Sequence, residues 1–431
     1  MIEFFDSSKL SLDFEKSLPV RKSNRSQGSY RLGLIQLSSF LYGHDCIDDL
    51  IEFKYDPALS AIMRGETVLP RTMGNFLRDF SVQNISSLNR FLSTQAKAYR
   101  DRLINQHPSL KEPVHLSIDS TPHEQSGTKM EGLAFNYKDM WCLDSQSVFD
   151  QMGLCYGMQL RSGNTKSGVA AEELIRASFK GFSFREEKYL SADAAYCNQG
   201  VIKTCLGLGV KFTIAANQAT TQWKEHIHKI THWEPWQYSE TEIKKARLQG
   251  KSLPQVELGM FYWSPSWNEV LKFPIIVKRQ VVEQSDLFEG GYKYYGIVTN
   301  HNLFHQSLQS VVEHYNKRAN VENFIREEKY GYDLKHFPCQ KLQANYAFGL
   351  LAMVANNILR FMALIDRPAK TYFAKKFRRK FIHIPGQLVS HARSMVLKVS
   401  KQQLKEVHRL REAWELKPET MLLTHSSGLS P

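Results

Sequence analysis

The chain has 431 residues, of which 42% are hydrophobic and 23% are charged, a balance that is typical of a folded soluble protein and excludes an intrinsically disordered chain. A chain of this length can bury a large core and is expected to form two or three domains. Its 56 Lys and Arg residues outnumber its 43 Asp and Glu residues, which gives a formal net charge of +13 and a pI near 9.3. Such an excess favours a polyanionic partner, of which nucleic acid is the commonest.

Cysteine usage and hydrophobicity favour a cytoplasmic protein. The six cysteines form no CxxC pair and no His/Cys cluster, so neither a structural zinc site nor a disulfide framework is indicated. The N-terminal segment MIEFFDSSKLSLDFEK carries acids where a secretory signal has a basic region before an apolar run. The most apolar stretch, residues 346–365, contains Asn356, Asn357 and Arg360, which favours a buried helix over a membrane span.

The first predicted element is a basic arm over residues 1–31. Its segment LPVRKSNRSQGSYR mixes Arg21, Lys22, Arg25 and Arg31 with Ser, Asn and Gly, which is typical of a flexible arm that contacts phosphates. A solvated tail without any such contact fits the same composition equally well.

Residues 32–110 have a helical pattern throughout. Between residues 56 and 80 the pattern predicts a helix, a tight break at Gly65 and a second helix that starts at Pro70. This arrangement is compatible with a helix-turn-helix that binds DNA, although simple helical hairpins are common. The side chains that would then face DNA are Arg71, Thr72, Asn75 and Arg78.

From residue 111 onward the pattern changes to mixed α/β. PVHLSIDST alternates apolar and polar residues and predicts a strand that reaches Asp119, and two further extended stretches follow, in WCLDSQSVFD and LCYGMQLRSGN. A helix, a strand, a helix and a strand come next, and the first of these strands, in KYLSADAAY, ends at Asp193. Residues 217–300 are rich in aromatic, strand-like segments. Further along the chain, the basic segment KKFRRKF (375–381) indicates either a patch that contacts phosphates or a solvated helix.

The segment YNKRANVENFIREEK, residues 315–329, carries an unusual row of polar side chains. On a continuous helix, Tyr315, Arg318, Glu322 and Lys329 would fall within a stripe roughly 60° wide. The stripe offers a hydroxyl, a guanidinium, a carboxylate and an ammonium group in sequence. A solvated face with salt bridges is the simplest interpretation of such a run when it is taken alone.

Three carboxylates, those of Asp119, Asp193 and Glu322, suggest a metal site. The ends of strands in an α/β sheet are where ligands usually bind, although a lone Asp in such a place is more often a turn or cap residue. Three carboxylates brought together would repel one another, and a pair of Mg²⁺ ions would relieve that repulsion. Two such metals can activate a water or a 3′-hydroxyl on one side of a phosphate and stabilise the leaving oxygen on the other.

The sequence resembles insertion-sequence transposases of the Asp/Asp/Glu (DDE) type, which have a ribonuclease-H-like catalytic core. The group that it resembles carries a Tyr-x2-Arg-x3-Glu-x6-Lys signature, and Tyr315, Arg318, Glu322 and Lys329 meet every interval of it. The segments SIDST and SADAAY around the two aspartates, and QLRSGNTKSG between them, agree with this resemblance. A β-rich insertion between the second and third acids is also typical of the group.

The resemblance implies roles for specific residues. The implied metal ligands, for two Mg²⁺ ions that Mn²⁺ would replace, are Asp119, Asp193 and Glu322. The residues implied to hold DNA phosphates near the scissile bond are Tyr315, Arg318 and Lys329. Arg suits such a role because it binds a phosphate through two N–H groups, and Lys because it supplies a compact charge. Weaker candidates for DNA contact, since a plain hairpin turn fits them as well, are Arg161, Asn164 and Lys166.

The implied fold is a ribonuclease-H-like mixed sheet flanked by helices, with a β-rich insertion before the helix of the third acid and an α-helical N-terminal domain. The expected division is a basic arm (1–31), a helical DNA-binding domain (32–110), two parts of the catalytic core (111–216 and 301–366) separated by the insertion (217–300), and a basic C-terminal region for DNA contact or dimerisation (367–431).

The implied function is that of a DNA transposase. It would bind the terminal inverted repeats of its mobile element, cleave phosphodiester bonds and join the 3′ ends to target DNA, in a homodimeric synaptic complex. It would act in the bacterial cytoplasm at the nucleoid, without an organic cofactor or a membrane. The alternatives are a ribonuclease-H-like nuclease that never joins strands and a catalytically silent, domesticated DNA-binding protein.

Overall fold

The computed structural model describes residues 2–6, 8–21, 27–63, 67–281, 291–368, 372–391 and 394–414. The helices are α1 (Ile2–Asp6), α2 (Leu10–Ser17), α3 (Ser29–Tyr42), α4 (Glu52–Tyr55), α5 (Pro57–Ile62), α6 (Pro70–Arg78), α7 (Val82–Gln106), α8 (Ala171–Phe179), α9 (Gln199–Gly207), α10 (Gln218–Thr221), α11 (Glu240–Leu248), α12 (Leu308–Asn316), α13 (Ala319–Gly331), α14 (Leu342–Asp366), α15 (Ala374–Phe381) and α16 (Lys401–Ala413). The strands are β1 (Val114–Glu124), β2 (Ala134–Phe135), β3 (Trp141–Asp150), β4 (Cys155–Ser162), β5 (Lys188–Ala192), β6 (Lys211–Ala215), β7 (Glu234–Pro235), β8 (Val256–Trp263), β9 (Phe273–Val281), β10 (Tyr292–Thr299), β11 (Gln387–His391) and β12 (Ser394–Lys398).

One large mixed sheet, flanked by helices, forms the centre of the protein, as the sequence pattern predicts. Its strands follow the order β2-β3-β1-β5-β6-β10-β9-β8-β7, and β4 also pairs with β3. The neighbours β1, β5 and β6 run parallel, whereas the other pairs in this sheet are antiparallel. The strands predicted within residues 217–300 are present as β8, β9 and β10, and they extend this sheet because β10 pairs with β6. A separate hairpin is formed by β11 and β12.

The N-terminal residues are helical where we expected a flexible arm over residues 1–31. The aromatic rings of Phe5 and Phe14 are fully buried, and their centroids lie 5.4 Å apart in an edge-to-face contact. Phe14 also contacts Phe91 of α7, at 5.3 Å between ring centroids. The expectation of an arm is therefore wrong for the described residues, because these aromatic side chains anchor α1 and α2 to the core. The two cations of the expected arm that lie outside the described residues are Lys22 and Arg25.

The helical region that precedes the sheet shares its hydrophobic core. Helix α7 packs along α14, where the rings of Tyr99 and Phe361 stack with centroids 4.4 Å apart. The Asn89 side-chain amide of α7 donates a hydrogen bond of 2.7 Å to the Met158 carbonyl of β4. Residues on the two sides of the predicted domain boundary near residue 110 therefore pack as one unit.

Helix α14 passes through the interior and explains the apolar segment near residue 350. It is long and apolar enough to cross a membrane, but its most apolar window lies entirely inside the protein. The buried Asn357 side chain accepts a hydrogen bond of 2.7 Å from the Cys155 N–H and donates one of 2.9 Å to the Cys155 carbonyl. The asparagine thus satisfies main-chain groups of β4 that face the helix.

Candidate active site

Two of the predicted acids lie side by side where the parallel pairing of β1 and β5 ends. Ile118 of β1 pairs with Ala192, the last residue of β5, and each is followed by an aspartate: Asp119, within β1, and Asp193, just after β5. Since neighbouring strands are about 4.8 Å apart, the backbones of the two aspartates are adjacent. The Asp119 carboxylate accepts the N–H of Ser120 at 2.9 Å, and that of Asp193 accepts the N–H of Ala195 at 2.9 Å.

The third acid, Glu322, lies on α13 and acts electrostatically on Asp119. Burial raises the pKa of Asp119 to about 6, Arg318 opposes this rise, and the charges of Asp193 and Glu322 add to it. Only 13% of the Asp119 side chain is exposed, whereas Glu322 is an exposed residue. Asp119 therefore lies within electrostatic range of both other acids.

The row of polar residues predicted on one helix is divided between two helices. Helix α12 ends before Lys317 and α13 begins after Arg318, although both residues keep right-handed helical angles. The Arg318 N–H donates to the Tyr315 carbonyl at 2.9 Å, a three-residue interval that tightens the chain at this point. Tyr315 consequently lies on α12, Glu322 and Lys329 lie on α13, and Arg318 lies between the two helices, so the prediction of a single continuous helix is wrong.

Arg318 and Tyr315 have specific partners near the acids. The Arg318 guanidinium donates to Asp119 Oδ2 at 3.0 Å and is 15% exposed. The Tyr315 hydroxyl lies 2.6 Å from that of Tyr295 on β10, in a small second core. Arg318 thus holds a positive charge against Asp119, and Tyr315 fixes the end of α12 on the sheet.

Lys329, at the C-terminal end of α13, is held by the strand of the first aspartate. Its ammonium group donates to the Pro122 carbonyl of β1 at 2.7 Å. Burial lowers the pKa of Lys329, while the charges of Glu328 and Asp144 raise it. This lysine therefore joins the far end of α13 to β1.

Arg161 has a structural role, and the expectation that it contacts DNA is not supported. Its guanidinium forms an ion pair with Asp144, with Nε 2.9 Å from Oδ1, and Nη1 donates to the Val169 carbonyl at 2.9 Å. Only 6% of the side chain is exposed, so its donors are occupied within the protein. The Asn164 and Lys166 side chains are exposed on the same turn, and their contact with DNA remains a prediction.

Glu328 is a buried acid that sequence reasoning missed. It is 1% exposed, in an interior position beside the Ser147 side chain. Burial raises its pKa to about 7, and the charge of Asp119 adds to this rise. In the sequence, Glu328 stands in the run REEK, and the composition of that run is typical of a solvated helix face. The sequence therefore does not indicate that Glu328 is buried.

The helical hairpin near residue 70 keeps its candidate side chains at the surface. Helix α6 starts at Pro70, as predicted, while Gly65 lies outside the described residues. Arg71, Asn75 and Arg78 are exposed, and the Arg78 guanidinium donates to the Asn75 side chain at 2.6 Å. Recognition of DNA by this hairpin remains a prediction.

The sequence matches the family described as "Transposase DDE domain group 1" over residues 24–415. The chain belongs to this family of DDE transposases. A search of curated proteins gives no significant match to the chain. Membership confirms the resemblance drawn from the sequence, and transposases of this type act on DNA and generally use divalent metal ions. Among the residues that the structure describes, no group of three or more His, Cys, Asp or Glu side chains is arranged as a metal cage.

Three histidines from separate elements of the transposase cluster where α12 meets the sheet. The ring of His115 on β1 stacks on that of His314 on α12, with centroids 4.1 Å apart, and His301 lies 5.3 Å from His314. Burial lowers the pKa of all three, to about 4 for His314. The other charged groups near the cluster are Lys317, Lys211 and Glu187. Above pH 6.5 the three rings are therefore neutral and pack as uncharged aromatic groups.

Acidification is expected to destabilise the transposase through this cluster. The pKa of His314 is about 4 in the folded protein, against an ordinary value of 6.5, so its stabilising effect is complete above pH 6.5 and decreases as the pH falls toward 4. By about pH 5 the loss for His314 is on the order of 1–2 kcal/mol. The variant His314→Phe keeps an aromatic ring at this position, and that ring cannot titrate. When the pH is lowered from about 7.5 to about 5, the free energy of unfolding in urea should therefore decrease less for His314→Phe than for the wild type.

The two proteins are compared at the same pH, because Glu328 titrates in the opposite sense: its raised pKa of about 7 makes it favour the folded state as the pH falls. Glu328 is present in both proteins and cancels in the difference. Equal losses of stability in the wild type and His314→Phe between about pH 7.5 and about pH 5 would show that the cluster has no such effect.

Proposed function

We propose that this transposase cleaves DNA at the ends of its mobile element and joins the freed 3′ ends to target DNA, with Asp119, Asp193 and Glu322 as its metal ligands. The observation that carries the proposal is the meeting of two aspartates where the parallel pairing of β1 and β5 ends, with the charge of a glutamate on α13 acting on one of them. Family membership supports the class of reaction, and the positions of these three side chains support their choice as ligands.

The chemistry of these side chains fits a hard divalent cation. Carboxylate oxygens are the ligands that Mg²⁺ prefers. Burial is the main cause of the raised pKa of Asp119, and such a cation would remove the smaller contribution that repulsion from Asp193 and Glu322 adds. We propose two Mg²⁺ ions, which Mn²⁺ would replace. When bound, they would activate the attacking hydroxyl and neutralise charge on the transferred phosphate.

Arg318 is proposed to exchange partners during catalysis. In the structure its guanidinium neutralises Asp119 through the contact of 3.0 Å. Once Asp119 serves as a metal ligand, the guanidinium is free to bind a DNA phosphate through two N–H groups. Lys329 would add a second positive charge from the other end of α13, and Tyr315 would keep α12 against the sheet while the DNA binds.

The arrangement of strands supports a ribonuclease-H-like core. The order β4-β3-β1-β5-β6, with β1, β5 and β6 parallel, is compatible with that fold. Strands β7 to β10 occur between the second and third acids, and we propose that they form the β-rich insertion of this group of transposases. A homodimer holding two inverted-repeat ends is proposed as the synaptic complex.

The proposal is tested by following a labelled DNA end. The probe is a duplex that spans one end of the mobile element, labelled within the element part of the strand whose 3′ end is freed, and incubated with Mg²⁺, the full chain and a supercoiled plasmid. Cleavage followed by transfer of the label to the plasmid is expected, and a pre-cleaved duplex whose element strand ends in a 3′-dideoxynucleotide should give no transfer because it lacks the attacking hydroxyl. Cleavage without any transfer would instead identify a nuclease, and binding without cleavage would identify a silent DNA-binding protein.

A further inference from the structure

A wide groove with a basic lining lies beside the C-terminal end of α13. It encloses about 990 Å³ and is open to solvent along one side. Its cationic lining residues are Lys335, Lys375, Lys376, Arg378, Arg379 and Lys380. Two carboxylates, those of Asp45 and Asp333, also line it, so positive charge predominates. The exposed ring of Tyr330 forms part of the rim.

Helix α15, which supplies most of these cations, is held firmly in place. Phe377 and Arg378 point into the protein, where they are 0% and 5% exposed. The N–H of Ala374, at the start of the helix, donates to the Glu327 carboxylate of α13 at 2.9 Å. Because its inner face is fixed in this way, the opposite face of α15 is presented to the groove. The segment 375–381 therefore combines an anchoring face with a basic outer face, and only part of it can reach a ligand.

Three cations of the outer face form no direct ion pair within the described part of the chain, although the charge of Lys375 acts on Asp45 across the groove. Lys375, Lys376 and Arg379 are exposed, and none of them forms an ion pair with a described residue. By contrast, Lys380 lies 3.4 Å from Glu406. Solvated helix faces commonly alternate the signs of their charges, so a helix face with three cations and no acid of its own favours a polyanionic ligand.

The groove is connected to the strand that carries Asp119. The Phe337 N–H donates at 3.2 Å to the side chain of Gln125, the residue that follows β1, so the loop after α13 is tied to the end of that strand. Asp119 lies six residues earlier on the same extended chain. At about 3.3 Å per residue, Gln125 lies on the order of 20 Å from Asp119 along this strand, which is less than one turn of duplex DNA.

We propose that this groove binds the sugar–phosphate backbone of duplex DNA beside the cleavage site, through Lys375, Lys376 and Arg379. The inference rests on the proposed function, since it takes DNA as the substrate of the neighbouring acids. Duplex DNA presents a negative charge about every 1.7 Å along its axis, which is the complement of a row of cations on a rigid helix. Contacts of this kind position the duplex without reading its sequence.

The test is a salt titration of DNA binding by a triple variant. Lys375→Gln, Lys376→Gln and Arg379→Gln are combined in one protein, because Gln has a helix propensity close to those of Lys and Arg. Binding of a fluorescein-labelled duplex of about 30 base pairs and arbitrary sequence is followed by anisotropy over a range of KCl concentrations. The slope of log K against log[salt] is expected to fall by about 3 in magnitude, since each lost phosphate contact removes about 0.9.

A matched control carries the same changes on another exposed helix. Helix α11 bears Lys244, Lys245 and Arg247, all exposed, and the combined Gln variant there should keep the wild-type slope. Equal slopes for the groove variant and the wild type would overturn the groove proposal while leaving the proposed function intact. A wild type that fails to bind DNA would overturn the proposed function itself. A variant that binds DNA normally but changes its sedimentation would show that the groove holds a second copy of the chain instead.

Discussion

Replacing Asp119 with Asn is expected to reduce Mg²⁺-dependent DNA cleavage by at least about 1,000-fold. The substitution keeps the shape of the side chain and the hydrogen bond from the Ser120 N–H, but it removes the negative charge that repels Asp193 and Glu322 and attracts Arg318. An amide is a poor ligand for Mg²⁺ in comparison with a carboxylate. Cleavage of labelled element-end DNA under single-turnover conditions measures the effect.

The matched control is Asp139→Asn, because Asp139 is an exposed aspartate on the turn before β3. Its backbone is left-handed, with φ of 55°, a conformation that Asn adopts readily. Cleavage by this control should equal that of the wild type, and circular dichroism should show that both variants are folded. Cleavage by Asp119→Asn within tenfold of the wild type would remove Asp119 from the proposed metal site.

Replacing Arg378 with Met is expected to reduce the free energy of unfolding by about 3 kcal/mol. The guanidinium donates to the carbonyls of Phe40 and Gly331 at 2.6 Å each and of Leu41 at 3.2 Å. These carbonyls belong to the last turns of α3 and α13, where carbonyl groups have no N–H donor within their own helix. A cation is also favourable at the C-terminal end of a helix. Met fills a similar volume but leaves the three carbonyls without their donor.

The neighbouring residue provides the control for this second substitution. Arg379 lies on the same helix and is exposed, so Arg379→Met should change the free energy of unfolding in urea by less than about 0.5 kcal/mol. The two variants lose the same charge and differ only in the burial of the arginine. A similar small effect of Arg378→Met would contradict the view that this residue joins α15 to α3 and α13.

The sequence pattern predicts much of the sheet and the placement of two acids. The alternation in PVHLSIDST identifies β1, and the apolar run before Asp193 identifies β5, since both signals come from neighbouring residues. The meeting of the two aspartates then follows from the parallel pairing of the strands. Such local patterns are the part of a fold that a single sequence carries most clearly.

The details of the site depend on contacts between distant residues. Arg161 reads as a surface cation in a turn, but its burial is decided by Asp144, which lies 17 residues earlier. No Gly or Pro marks the break between α12 and α13 in the sequence. Lys317 and Arg318, which lie at the break, both keep helical angles, so the break has no local signal. Phe5 lies in a segment with acidic and polar neighbours, and its contacts with Phe14 and Phe91 show that it is part of a core. Tertiary packing determines each of these features.

The proposed metal site is tested most directly by anomalous diffraction from crystals of the transposase grown with element-end DNA and Mn²⁺. We expect manganese within about 2.5 Å of carboxylate oxygens from all three acids, with the Arg318 guanidinium moved from Asp119 to a DNA phosphate. Manganese bound elsewhere in the protein would contradict the assignment. So would manganese that lacks one of the three acids as a ligand while the Arg318 guanidinium stays on Asp119.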